Sequence, residues 1–466
     1  MTRERLDDVW IEVGGRRLSH WTSYSFDSDL FTPADGFRFT VGLPSARTEA
    51  DRRTRDELLA LVNRGATVRI YVGDSSTEET RAQALQLTGI VDDRTIDVTP
   101  DGGSVLEIEG RDLARHLVDS SVPIDIFRVS SVTRNRMILT QNEAAGSSAR
   151  ALAESIASQD DTGIGVGTWA PSQFVFEVDS AAMPGRPYTI TTAPTLAQLA
   201  RLVCDPWGIR VVCDQSAARD VLTGRPRRGS RRGDERRASS ASSYASGLAP
   251  EDVKRIKPDE ARPSPGETCW EYLDRHAKRL GVLLWMAPTG ELVLGSPQYG
   301  QAPRARIVRR LRSDPSDPNN VIRGEVRESL GDRYSKVTVY GRSGRDPAKS
   351  KIIATAIDAE WPADFETPLV VHDRAIRDQA EADRRALREL AKHRRTARTI
   401  KYDVSGHSCA MGRERFVFAV DTVIEVLDEV AGISGRYYCT KRTLARDRER
   451  GTTATLVLVE PGSIVL

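Results

Sequence analysis

The stretch SGHSCAMG, residues 405–412, sets His407 and Cys409 two positions apart, the nearest approach in the chain to an imidazole beside a thiol. A thiol nucleophile needs a base within hydrogen-bond reach, but two residues on one predicted strand end belong to an ordinary turn. IEGRDLARHLVDSSV, residues 108–122, packs Glu109, Arg111, Asp112, Arg115, His116 and Asp119 into eleven positions, dense enough to raise the question of an active site. GRSGR, residues 341–345, lacks one residue of the G-x-S-x-G nucleophile elbow, and GIGVG, residues 163–167, lacks the G-x-G-x-x-G spacing for dinucleotides. Adjacent carboxylates at Asp92–Asp93 and Asp160–Asp161 read as turn formers. The six histidines (His20, His116, His276, His372, His393, His407) and five cysteines (Cys204, Cys213, Cys269, Cys409, Cys439) show neither H-E-x-x-H nor C-x-x-C spacing. The expectation is therefore no catalytic residues, no cofactor and no metal, in a protein that is not an enzyme.

At 466 residues the chain exceeds what one hydrophobic core usually organises. Its 68 basic and 66 acidic residues leave a net charge of +2, so nothing global draws it to nucleic acid or anionic lipid. The opening MTRERLDDVW has no apolar signal core, which predicts synthesis in the cytosol. The longest strongly apolar run, VLLWMA at residues 282–287, is far short of the ~18–20 residues that span a bilayer.

The first hundred residues read as short strands. VWIEVGGRRL predicts a hairpin turning on Gly14–Gly15, and Phe37, Phe39, Val41 and Val68, Ile70, Val72 alternate with polar neighbours. A helix through DELLALVNRG, with Leu58, Leu59, Leu61 and Val62 inward, interrupts them. Two helix-then-strand units follow. Thr195 with Gln198, and Thr268 with Glu271, have capping-box spacing. The second helix carries Trp270, Leu273, Ala277 and Leu280 inward, stops at Gly281, and leads to a hairpin containing Leu284.

Between these units lies an Arg/Ser-rich loop, about residues 217–262, in which eight arginines fall between Arg219 and Arg237. It has little to bury, so it reads as a solvated surface insertion. Arg225, Arg227, Arg228, Arg231, Arg232, Arg236 and Arg237 could alternatively make an electrostatic contact with an acidic partner. After Asn319 the strand texture returns, with a charged helix at about 373–395 whose narrow stripe is read as Ile376, Ala380, Leu387, Leu390 and Ala391. The expected fold is α+β, mainly β: two antiparallel β-barrel-like domains, 1–125 and 319–466, flank small α/β modules at 126–318.

VWIEVGGRRLSHWTSYSFDSDL, GRDLARHLVDSS, GETCWEYLDRHAKRLGVLLWMAPTGELVLG, VSGHSCAMG and GISGRYYCTKRTLARDRERGTTATLVLVEPG recur in order along the chain. In that order and spacing the sequence resembles the baseplate hub proteins of Mu-like contractile phage tails, the tail protein P family. The Arg-rich segment has no clear place in that pattern. The resemblance implies a homotrimeric ring adapting a six-fold tail tube to a three-fold central spike, with possible contacts to the tape-measure protein and baseplate wedge. It also implies assembly in the bacterial cytoplasm and residence in a virion tail or contractile particle. No spike-like repeats precede Leu466, so the spike is expected to be a separate polypeptide. No membrane partner is expected, and nucleic acid would enter only through the Arg-rich loop. The competing reading is a cell-wall-binding or lytic tail protein, because the helix-strand units are similar to small peptidoglycan-binding domains.

On this reading the charge-dense stretch is a structural joint. A helix beginning after Gly110 would turn Leu113, Leu117 and Val118 inward and set Arg111, Asp112 and Asp119 outside, where Asp112 and Asp119 pair with neighbouring cations.

Overall fold

In the computed structural model the described residues are 7–18, 21–44, 48–73, 78–99, 103–122, 131–133, 136–138, 195–213, 256, 261–312, 314–341, 352–362, 364–373, 376, 378–411 and 414–465. They form two compact units, Met1–Arg111 with Pro297–Leu466, and Asp112–Ser296.

The first unit opens with β1 (Val9–Val13), β2 (Arg16–Leu18), β3 (Trp21–Asp29), β4 (Gly36–Leu43), α1 (Glu49–Leu61), β5 (Thr67–Val72), α2 (Glu78–Ala84), β6 (Leu85–Thr99) and β7 (Gly103–Asp112). Gly14 and Gly15 take φ of 55° and 80°, the left-handed values the predicted hairpin requires. α1 begins earlier than expected because Thr48 caps it in a box with Asp51. Its Leu58, Leu59 and Leu61 lean on the core only partly buried. All five residues of β1 are buried, since Trp10 on its outer face stacks 3.7 Å from Tyr71 and packs with Ala84 of α2.

The second unit holds α3 (Arg115–Asp119), β8 (Ser131–Thr133), β9 (Arg136–Ile138), α4 (Leu196–Cys204), β10 (Val211–Cys213), α5 (Cys269–Leu280), β11 (Leu283–Met286) and β12 (Leu292–Gly295). Both predicted capping boxes form, Thr195 with Gln198 and Thr268 with Glu271, each stabilising its helix by about 1 kcal/mol. Gly281 ends α5 in the left-handed conformation. The two helix-strand units share one sheet, with β10 parallel to β12 and β12 antiparallel to β11.

The chain then returns to the first unit through β13 (Ala305–Arg309), β14 (Val321–Glu328), β15 (Lys336–Tyr340), β16 (Ile353–Ile357), β17 (Pro368–His372), α6 (Gln379–Ala397), β18 (Arg398–Ser405), β19 (Ser408–Met411), β20 (Glu414–Val417), β21 (Thr422–Asp428), β22 (Ile433–Asp447) and β23 (Gly451–Val459). α6 covers the small β16-β15-β17 sheet with Ala382, Ala386 and Leu390, joined by Ile376 just before it. This corrects the expected stripe: Ala380 and Leu387 are exposed, because the helix starts after the Asp378 cap and presents the i, i+4, i+8 row from Ala382.

Thirteen strands make one sheet, along the order β14-β18-β23-β22-β3-β4-β7-β6-β5-β1-β2, with β21 joining β22 to β13. The class is α+β, mainly β, as expected. The barrel expectation is corrected: among the described residues the strand order is an open path ending at β14 and β2, and no pairing closes either β region on itself.

The path contains the same arrangement twice. β3-β4-β7-β6-β5-β1 in the first part corresponds to β14-β18-β23-β22-β21-β13 in the second. The correspondence extends to detail: the β3–β4 ladder slips between Trp21 and Ser23, and the β14–β18 ladder slips between Val321 and Arg323. The last strand departs, since β1 runs antiparallel to β5 while β13 runs parallel to β21. The two repeats meet where β3 pairs antiparallel with β22, from Asp29 opposite Lys441 to Tyr24 opposite Arg446. Phe26 and Leu444 face each other there, both fully buried, each adding about 1.5–3 kcal/mol of apolar burial.

Candidate functional site

The charge-dense stretch forms as strand, turn and short helix. β7 runs on through Asp112, because the β4–β7 ladder continues to Gly36 opposite Arg111, so the helix starts at Arg115 rather than after Gly110. Gly110 sits against Phe37 and the Ile90 carbonyl, where a Cβ would come within 2.4 Å and 2.1 Å. Arg111 donates from Nε to Asp92 Oδ2 at 2.7 Å. Asp112 is buried and its Oδ1 accepts the Ala114 N–H at 2.9 Å, a local turn bond that ends the strand. Leu117 is fully buried, Leu113 and Val118 are half-buried, and Arg115 pairs with Asp119 at 3.6 Å. Asp112 thus holds backbone and the arginines pair with carboxylates, and the chain passes from one compact unit to the other between Arg111 and Asp112.

In the α/β modules Trp270, Leu273 and Leu284 are buried, Leu280 and Gly281 half-buried. Sequence periodicity missed two members of this core. Tyr272 is fully buried and donates its hydroxyl to the Ala261 carbonyl at 2.6 Å, and His276 packs edge-on against it at 4.9 Å. Burial pushes the His276 imidazole down to about 3, so it is neutral at ordinary pH. The seven arginines Arg225, Arg227, Arg228, Arg231, Arg232, Arg236 and Arg237 lie outside the described residues, as do Gly163–Gly167 and residues 342–345 of GRSGR.

His407 and Cys409 have separate partners. His407 Nε2 lies 2.7 Å from the Tyr24 hydroxyl, while Cys409 Sγ accepts the Arg306 N–H at 3.4 Å. Asp7, which sequence reasoning did not single out, accepts from the His407 N–H at 3.2 Å and pairs with Arg415 at 3.3 Å. His407 is fully buried, and desolvation lowers it to about 4; burial also raises the Cys409 thiol. A protonated thiol and an imidazole bound to different partners do not make a nucleophile and its base.

Among the described residues no three or more His, Cys, Asp or Glu gather as a metal site would need, and no helix is long and apolar enough to cross a membrane. A groove of about 630 Å³ runs beside α6, lined among others by Leu330, Ile357, Leu387, Arg394, Arg398 and Glu460. Two of its cations are tied to its acids, Arg394 to Glu360 and Arg398 to Glu328 and Glu460, and Arg395 lies over the Phe31 ring, an arrangement of ion pairs around an apolar strip rather than a converging set of reactive groups. What remains in the first unit is a repeated sheet whose strand order, among the described residues, ends at β14 and β2.

Residues 8–112 match the family model for the N-terminal domain of the Mu phage baseplate assembly protein GpP-like proteins. That segment is similar to the GpP-like N-terminal domain. It comprises the strands of the first repeat and ends at Asp112, the last residue of β7. The fold of the whole chain is similar to that of the tail protein from Neisseria meningitidis MC58, with a TM-score of 0.60, 19% identity and coverage of 98% of this chain and 97% of that one. It is equally similar to the 43 kDa tail protein of prophage MuSo2 from Shewanella oneidensis, at TM-score 0.60 and 18% identity over 98% of this chain and 99% of that one. No curated protein matches the chain. The resemblance to Mu-like tail proteins read from the sequence is thus borne out: a segment similar to the GpP-like N-terminal domain stands first, in a chain whose fold is similar to that of phage tail proteins.

Proposed function

We propose that this chain is a structural baseplate hub of a contractile tail or tail-like injection particle, in which three copies form a ring around the tail axis. The observation that carries the reading is the duplicated strand order: one chain supplies two β modules of the same topology. Three such chains present six modules to a six-fold tail tube while keeping a three-fold face for a separate spike protein. The GpP-like match over residues 8–112 supports a baseplate setting for the first module. Functionally the chain then divides at about residues 125 and 318, with the α/β modules between two tube-facing β domains. Gly110 to Asp119 are the structural joint leaving the first domain. The tape-measure protein and baseplate wedge are further neighbours in such a particle, which is assembled in the bacterial cytoplasm.

A permanent ring needs roughly 2,000 Å² or more buried at each contact. Light scattering over a concentration series should approach three times the 51.5 kDa chain mass, and a monomer at every concentration would count decisively against the hub.

A further inference from the structure

Two cavities of the first unit adjoin. The groove of about 630 Å³ beside α6 and a pocket of about 180 Å³ share Arg395, Arg398, Leu458 and Val459 in their walls. Apolar side chains stand open in the groove: Leu330, Ile357 and Leu387 are 44%, 71% and 51% exposed, and each would gain by leaving water. The charges around them are mostly matched already. Arg333 pairs with Asp358, Arg394 with Glu360, and Arg398 with Glu328 and Glu460.

Arg395 is the exception. Its guanidinium lies 4.0 Å over the Phe31 ring, yet among the described residues it has neither a carboxylate nor a hydrogen-bond partner. Burial lowers its pKa, with Tyr299 and Asp29 acting against the fall, and the Asp29 carboxylate is itself paired with Lys441. The cation is thus stripped of water without receiving an anion in return. A guanidinium presents a planar fork of N–H donors that matches a carboxylate. The groove has the volume of a small-molecule site, roughly 300–1,000 Å³. A peptide would bring N–H and C=O groups to a wall whose charged side chains are otherwise engaged, and each one left unmet is costly. A hydrocarbon chain brings none.

We propose that this groove binds an unbranched acyl chain with a terminal carboxylate, the chain against Leu330, Ile357 and Leu387 and the carboxylate on the Arg395 fork. The match is one of shape and charge together: an apolar body for the strip, and a single anion for the one unmatched cation at its end. The site is independent of the ring proposed above, and either can fail without the other.

Calorimetric titration of the full chain with dodecanoate, kept below its micelle concentration, tests the proposal. The expected result is saturation at one molecule per chain. Dodecyltrimethylammonium, with the same tail and the opposite charge, should bind at least tenfold more weakly. Arg395→Gln should weaken dodecanoate at least tenfold and leave the uncharged dodecanol unaffected. Leu387→Glu, at an exposed position of α6, should block dodecanoate, whereas Val370→Glu, at an exposed position outside the groove, should not. Absence of saturable binding overturns the proposal, as does equal affinity for the two charged heads or indifference to Arg395→Gln. Equal loss on Val370→Glu and Leu387→Glu would mean adsorption to any apolar surface, and overturns it too. The pentapeptide LVILV with a free carboxyl end, if it binds more tightly than dodecanoate, assigns the groove to a polypeptide terminus instead.

Discussion

The Tyr24 hydroxyl lies 2.7 Å from His407 Nε2, a buried bond that ties β3 to the turn before β19. Burial raises the phenol well above its usual range and lowers the imidazole, so the bond joins two neutral groups. Tyr24→Phe keeps the ring and leaves a buried imidazole nitrogen without its partner, which should cost about 1–3 kcal/mol. Urea denaturation should show a lower midpoint; an unchanged one would mean that His407 is satisfied elsewhere.

Two histidines should make the protein acid-sensitive. His407 at about 4 and His276 at about 3 lie below the ~6.5 expected in the unfolded chain. With the folded values depressed, the unfolded state takes up protons first. Stability is complete above about pH 6.5 and falls as the pH drops towards 4 and below, by on the order of 2–3 kcal/mol for each histidine. His276→Leu should flatten the fall in Tm between pH 7 and 4 relative to the parent chain.

Gly110 has no room for a side chain. Its Cβ would meet the Ile90 carbonyl oxygen at 2.1 Å, and backbone cannot swing aside as a flexible side chain can. Gly110→Ala should therefore destabilise by about 3 kcal/mol or more, visible as a drop in Tm and in soluble yield. Gly42→Ala, with nothing within 4 Å of its Cβ, is the matched control and should change little.

Asp35 runs opposite in pH. Burial raises its carboxyl to about 7, with Asp27 adding to the rise, while its Oδ1 accepts the Asp29 N–H. The folded value exceeds the unfolded one, so its stability is complete below about pH 4 and is lost as the pH rises through 7. Asp35→Asn keeps the acceptor without the charge. It should raise stability by roughly 1–2 kcal/mol at pH 8 and little at pH 4, which thermal melts at the two pH values would check.

Features encoded within a few residues were legible in the sequence. Gly14–Gly15 had to turn a hairpin, and the Thr195/Gln198 and Thr268/Glu271 boxes had to start helices, because each device is complete within four positions. The inward face of α6 is not fixed by its sequence, because alanines and two leucines, Leu387 and Leu390, populate several faces of an arginine-rich helix, and only the sheet beneath decides among them. Strand partners were beyond reach for a similar reason. Alternation identifies β3 and β22 as half-buried strands but carries no term for which strand lies alongside, so neither their junction nor the duplicated order could be read. The search for chemistry turned on distance as well: His407 found Tyr24, 383 positions away, instead of Cys409.

The β3–β22 ladder also sets a clock on biosynthesis. Its strands lie more than 400 positions apart, so β22 is made long after β3. At 5–20 residues per second, β3 is exposed for roughly 20–80 s before its partner exists. Through that interval the nascent first repeat carries an open strand of alternating aromatic residues, the kind of edge that recruits wrong neighbours. Demand for chaperones should therefore peak before β22 is made, and a chain truncated before Ile433 should aggregate rather than fold as a smaller version of itself.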